Sequence, residues 1–273
     1  MIQLRALYES QLMEGFAGMN KHILVTNDDG VQAPSLLALV KVMRTLGDVT
    51  VVAPDRNWSA SGHVKTLYRP IMVRETKLAD GSDAIMTDGA PSDCVALALM
   101  GMIERPVDLV VSGINPNANI GDDITYSGTV TAAMEAVIHR VPGIAFSVDA
   151  PQDNEKADYD ATAAYCRAIT ERVLEKGLPR HVLLNVNIPL QPQVTIKGIK
   201  ITRQGKRIYK DELVRYQDPR GRSFYWIGGE VPSGETIDGS DYTTLKQGYI
   251  SITPLQMDMT AERFINELRT WKI

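Results

Sequence analysis

The sequence predicts an α/β fold: a mostly parallel sheet with helices on both faces, extended by a C-terminal β arm and a terminal helix. Two observations predict it. Short apolar runs rich in branched residues alternate with amphipathic helical stretches over residues 22–188, the pattern of a parallel sheet covered on both sides. From about Pro189 the alternation gives way to short β-like runs (VTIKGIKITR, FYWIGG, YISITP) and a last helical stretch over 260–271.

The elements follow in order. HILVT (22–26) is a first strand, closed by the polar turn Asn27-Asp28-Asp29-Gly30. Pro34 opens a helix with Leu36, Leu37, Val40, Met43 and Leu46 on one face, and Gly47 stops it. VTVVA (49–53) is the next strand, 90–103 a helix, and VDLVVS (107–112) a buried strand leading into a loop rich in Asn, Gly and Asp. Helix 129–139, strand 143–148, helix 155–176 and strand 181–188 complete the series. Residues 1–20 read as an N-terminal extension without a motif, and 21–273 as a single α/β domain whose arm and terminal helix occupy about 189–273. Arms of this kind commonly serve oligomer contacts.

Composition narrows the function classes. With 44% hydrophobic and 23% charged residues, the 273-residue chain is an ordinary globular one. Its 29 basic against 33 acidic residues give a net charge of -4, without the basic stripe that a duplex nucleic-acid partner would require. The two cysteines, Cys94 and Cys166, form no CxxC pair and read as reduced thiols on helical core faces, which fits a cytoplasmic location. No run of eighteen apolar residues exists, so no membrane-spanning helix is expected.

Ligands of an open parallel sheet bind beyond the carboxyl ends of its strands, so the loops after HILVT, VTVVA and VDLVVS carry the chemistry. In the first, Asp28 and Asp29 repel each other unless a cation or strong donors hold them. Hard cations such as Mg²⁺ take such oxygens. A helix cap plus a solvated acid explains an isolated Asp-Asp pair as well. The second loop, residues 53–63, is long for its place and offers Asn57, Ser59, Ser61, Arg56 and His63. The third contains Asn115 and Asn119, then Ser127-Gly128-Thr129 at a helix start. That turn is either a phosphate cradle of free N–H groups and hydroxyls or a plain N-cap. No GxGxxG follows the first strand, no P-loop motif occurs, and the first loop lacks the DxD spacing of an aspartyl-phosphate route. A cation cage beside an anion cradle suits a phosphate ester bridged to a metal.

The stretches ILVTNDDGVQAP, VTVVAPDRNWSASG, TDGAPSDCVALAL, DLVVSGIN, NIGDDITYSGTVTAAMEA, LLNVNIP and QGYISITPLQ resemble the SurE family, stationary-phase survival proteins that act as 5′-nucleotidases. The resemblance covers about residues 21–259 and implies a Rossmann-like core. It also implies one divalent cation per subunit, Mg²⁺ or Mn²⁺, held by Asp28, Asp29, Ser59 and Asn115. Asp28 and Asp29 double as the catalytic pair. Phosphate and substrate contacts fall to Asn115, Asn119, Ser127, Gly128 and Thr129. The implied substrates are nucleoside 5′-monophosphates, with 3′-monophosphates and short polyphosphate in addition, and the implied assembly is a homodimer or homotetramer with an exchanged C-terminal arm. Pro116-Asn117 stands where the family carries Ala-Gly, and Trp58 where it carries Arg or a similar residue; both changes flank the implied ligands and bear on substrate preference. Substitution of Gly128 is accordingly expected to disturb substrate handling and to leave metal binding near normal. The rival reading is a non-catalytic, Mg²⁺-binding receiver-like or nucleotide-sensing module. Such a receiver needs an aspartate at the end of a central strand, where this chain has Ser112 or Asn115.

Overall fold

The structure is a computed structural model and describes residues 20–150, 158–190, 196–271 and 273. Most of the expected extension lies outside the described residues. In chain order the described elements are β1 (His22–Thr26), α1 (Pro34–Met43), β2 (Asp48–Pro54), β3 (Val73–Lys77), β4 (Asp83–Thr87), α2 (Pro91–Leu97), β5 (Leu109–Asn115), α3 (Gly128–Ile138), β6 (Gly143–Asp149), α4 (Tyr159–Lys176) and β7 (Val182–Pro189). The C-terminal region adds β8 (Ile199–Ile201), β9 (Arg207–Ile208), β10 (Asp211–Gln217), β11 (Ser223–Gly229), β12 (Ser233–Gly234), α5 (Asp241–Lys246), β13 (Ile250–Gln256) and α6 (Glu262–Arg269).

The central sheet has nine strands in the order β3-β4-β2-β1-β5-β6-β7-β13-β8. The pairs from β4 through β7 are parallel, while β3 and β13 run antiparallel to β4 and β7. Residues of the central strands alternate between two apolar layers, as the two-residue period of a strand requires. Ile23 and Val25 of β1, Val51 and Ala53 of β2, and Leu109 and Val111 of β5 pack with Leu36, Leu39 and Met43 of α1 and Cys166 of α4. Leu24, Val52 and Val110 face the other way, onto Cys94 and Val95 of α2 and Ala132 and Ala136 of α3. Each such fully buried large side chain contributes about 1.5–3 kcal/mol. Both cysteines are buried free thiols, as the sequence predicts.

Three local differences from the sequence reading have physical reasons. The helix expected over 90–103 stops regular winding at Leu97 and continues as a wide turn, Ala98–Met102, because Gly101 sits at φ 120°. The strand expected to end at Ser112 runs on to Asn115, held by pairing of Ser112 with Ala145 and of Asn115 with Ser147 on β6. The edge hairpin of β3 and β4 is an addition; its first strand, VRETK, is too polar and exposed to announce itself as an apolar run. In the C-terminal region β10 and β11 form a two-stranded hairpin, with Tyr216 and Phe224 stacked 5.6 Å apart. No described helix is long and apolar enough to cross a membrane.

Candidate active site

The strand order reverses direction at β1, whose neighbours are β2 on one side and β5 on the other. That is the switch point at which open α/β sheets bind ligands. The turn after β1 carries Asp28 and Asp29, and the last residue of β5 is Asn115. Gly30 at φ 105° lets this turn pass close under the second loop, and an added Cβ would lie 3.3 Å from the Arg56 carbonyl carbon.

Asp28 is 3% exposed and accepts a hydrogen bond from the hydroxyl of fully buried Thr129 at 2.5 Å. Burial pushes the Asp28 carboxyl above the usual range; hydrogen bonding from the Thr129 hydroxyl and from the backbone of Asp28 and Thr129 opposes it. Asp29 is pushed up to about 7, first by burial and then by the Asp28 charge. Its Oδ2 is buried with no partner among the described residues, while Oδ1 meets Asn57 Nδ2 at 3.4 Å. Two adjacent carboxylates, both with raised pKa and one with an orphaned oxygen, fit a hard divalent cation that would supply the missing charge. Among the described residues no group of three or more His, Cys, Asp or Glu could hold a metal, and the further donors they offer at this edge are neutral oxygens.

Two neutral donors are within reach of the same edge by chain connectivity. Asn115, 9% exposed, donates its Nδ2 to the Asn117 carbonyl at 2.5 Å. Ser59 is exposed on the second loop and donates its N–H to Asn57 Oδ1 at 2.7 Å. The Trp58 N–H donates to the Asp28 carbonyl at 2.7 Å, which ties this loop directly to the carboxylate pair. The Trp58 indole N–H is buried without a partner among the described residues, and the Arg56 guanidinium lies 5.1 Å from its ring centre.

Helix α3 starts against the same carboxylates. Ser127 caps it, its Oγ accepting from the Val130 N–H at 3.1 Å. A Cβ on Gly128 would lie 2.8 Å from the Asp28 Cβ, so only glycine lets the helix start pack this closely. The first atom a larger residue at 128 would strike belongs to Asp28. Asn119 is anchored deeper, its Nδ2 on Ser147 Oγ at 2.8 Å and its backbone gripped by the Asn185 and Asn187 amides. Asp122 and Asp123 also act structurally: Asp123 binds Arg207 Nε at 2.7 Å and accepts from the Tyr209 hydroxyl at 2.6 Å.

The sequence reading missed two features here. Asn57 bridges Asp29 to Ser59, and the Thr129 hydroxyl is engaged by Asp28. Neither pairing leaves a trace in residue spacing, since Thr129 lies 101 residues beyond Asp28.

Comparison with known proteins accords with this geometry. The family model "Survival protein SurE" matches residues 23–211. The chain is 50% identical over 251 residues to the 5′-nucleotidase SurE of Chloroflexus aggregans, covering 92% of this chain and 99% of that protein. It is 48% identical over 250 residues to the 5′-nucleotidase SurE of Herpetosiphon aurantiacus, covering 91% and 97%. The crystal structure of the SurE protein from Aquifex aeolicus superposes with a TM-score of 0.79 at 42% identity, over 92% of this chain and 100% of that one. By sequence and by fold, the chain belongs to the SurE family.

Proposed function

We propose that this protein is a metal-dependent phosphomonoesterase that hydrolyses nucleoside 5′-monophosphates to nucleoside and phosphate, with 3′-monophosphates and short polyphosphate as further substrates. The observation that carries the reading is the Asp28–Asp29 pair at the switch point, with Asp29 Oδ2 buried and unpartnered among the described residues. The 5′-nucleotidase names of the relatives support the reaction class.

Asp28 and Asp29 would hold one divalent cation, Mg²⁺ or Mn²⁺, with neutral oxygens from Ser59 and Asn115. When bound, the cation supplies Lewis-acid chemistry to a phosphoryl oxygen and to the attacking water. The chain's own residues do the rest. Thr129 fixes the Asp28 carboxylate by its hydroxyl. The N-terminus of α3, with Ser127, Gly128 and Thr129, offers the positive end of the helix dipole to a phosphate. Donors aimed at charge that develops on a transferring phosphoryl group lower the barrier more than they tighten ground-state binding. Asn115 and Asn119 line the third loop on the substrate side of this reading. The same reading includes a homodimer or homotetramer built through the C-terminal arm and a cytoplasmic location.

The test is a panel of nucleoside 5′- and 3′-monophosphates and short polyphosphate assayed for phosphate release with Mn²⁺ and with Mg²⁺. Release from the mononucleotides supports the proposal; turnover of none of them with either metal refutes it.

A further inference from the structure

We propose that Glu135 is a positioning residue for this site: through His63 and Lys65 it fixes the loop that carries Asn57 and Ser59 against the end of β1. The proposal deepens the metal-phosphomonoesterase reading and rests on it for the role of Ser59.

Glu135 lies about two turns into α3. It is 2% exposed, and a carboxylate buried to that degree is costly unless paired. Two of its partners come from far back in the chain. His63 Nε2 is 2.9 Å from Oε2 and Lys65 Nζ is 2.8 Å from Oε1, while His139 Nε2, one turn along the helix, is 3.1 Å from Oε1. Burial pushes the Glu135 carboxyl up, but the His63 and Lys65 hydrogen bonds and charges outweigh it and hold the group at about 2.

The anchoring continues along the helix. The Thr131 hydroxyl, four residues before Glu135 and so on the same face, lies 3.1 Å from the Gly62 carbonyl, a donation it shares with the Ser127 carbonyl at 2.9 Å. The Gly62 N–H donates to the Tyr126 carbonyl at 2.9 Å. On α2, Asp93 accepts from the Thr66 N–H at 2.9 Å and from its hydroxyl at 2.7 Å, and the Ser92 hydroxyl binds the Val64 carbonyl. The loop is thus fastened over 62–66. Its free end is 57–59, where Asn57 reaches Asp29 and Ser59, and the Trp58 N–H reaches the Asp28 carbonyl. Ser59 is exposed and the segment between β2 and β3 has no regular structure beyond its turns. Its place over the carboxylates therefore depends on these fastenings, of which Glu135 makes the ion pairs with His63 and Lys65.

The experiment compares wild type, Glu135→Gln and Lys65→Met. Calorimetric titration with Mn²⁺ gives metal affinity, steady-state kinetics on a nucleoside monophosphate give KM and kcat separately, and amide hydrogen exchange follows residues 57–66. Glu135→Gln is expected to raise the Mn²⁺ Kd about tenfold and to speed exchange across 57–66. KM, which depends on the assembled mouth, should rise more than kcat falls. Lys65→Met alters an exposed side chain and leaves Glu135 its His63 and His139 partners; it should shift the Mn²⁺ Kd the same way, about threefold. Wild-type Mn²⁺ affinity in both variants overturns the proposal. So does wild-type affinity in Lys65→Met alone, if Glu135→Gln fails to fold. A wild type that binds Mn²⁺ but hydrolyses no nucleotide, with weakened Mn²⁺ binding in the variants, sinks the phosphomonoesterase reading and leaves the positioning role standing.

Discussion

The hydroxyl of Thr129 donates to Oδ1 of Asp28 across 101 residues of sequence, joining the first residue after the helix start of α3 to the turn after β1. Thr129 is fully buried, and a hydrogen bond from a buried hydroxyl to a carboxylate contributes about 1.5–3 kcal/mol. Thr129→Val keeps the shape and removes the bond. It is expected to weaken Mn²⁺ binding about tenfold by calorimetry, with a matching loss of turnover at limiting metal. Unchanged Mn²⁺ affinity would mean that Thr129 does not orient Asp28.

Gly128 gives a steric counterpart. A Cβ there would meet Asp28 Cβ at 2.8 Å and Oδ2 at 3.0 Å, so Gly128→Ala must shift the carboxylate or the helix start. Overpacking of this kind costs about 1–3 kcal/mol. A lowered melting temperature together with weaker Mn²⁺ binding is expected. A variant with altered substrate KM and wild-type metal affinity would show instead that the glycine serves substrate approach alone.

Stability of the metal-free protein should depend on pH through Asp29. Its carboxyl titrates at about 7 in the fold and near 3.8 in the unfolded chain. The fold therefore holds more protons than the unfolded chain between those values, and stability falls as pH rises through that window. Urea titrations in EDTA at about pH 5 and about pH 8 should give the lower midpoint at the higher pH, and Asp29→Asn should flatten the difference. A wild-type midpoint that rises with pH would contradict the raised pKa. Metal binding below neutral pH should release a proton.

The arm makes a prediction about assembly. Leu213, Trp226 and Ile227 on the hairpin are 69%, 65% and 81% exposed, more apolar surface than a lone chain keeps without cost. Light scattering should give at least twice the monomer mass, and deletion of 211–229 should reduce it. A monomer at micromolar concentration would count against the assembly.

The apolar runs and helical periodicities made the sheet legible from sequence, because β1, β2, β5, β6 and β7 are buried on both faces and their composition says so. The polar edge strand VRETK lacked that mark. At the site, Asp28-Asp29 was legible because like charges side by side at a strand end need an explanation. The Ser127 cap was one of two readings of its turn, and the structure gives the cap geometry. What pattern could not reveal are contacts made only by folding: Thr129 to Asp28, Asn57 to Asp29, and His63 to Glu135, 72 residues apart. In the sequence His63 is only one polar group of its loop, because its partner sits on another element.

The central claim is that Asp28 and Asp29 hold the divalent cation that turnover requires. The most direct measurement is phosphate release from a nucleoside 5′-monophosphate by EDTA-stripped protein before and after Mn²⁺ is restored, with Asp28→Asn and Asp29→Asn in parallel. A pair of unit charges a few ångströms apart interacts by roughly 4 kcal/mol at an effective dielectric near 20, before desolvation, and a divalent cation doubles the charge at stake. Even half of that weakens binding more than tenfold. The expected result is silence in EDTA, recovery of wild type with Mn²⁺, and no recovery in either variant at the same metal concentration, with both variants melting no lower than wild type in EDTA. Full turnover in EDTA, or in either variant, would contradict the account.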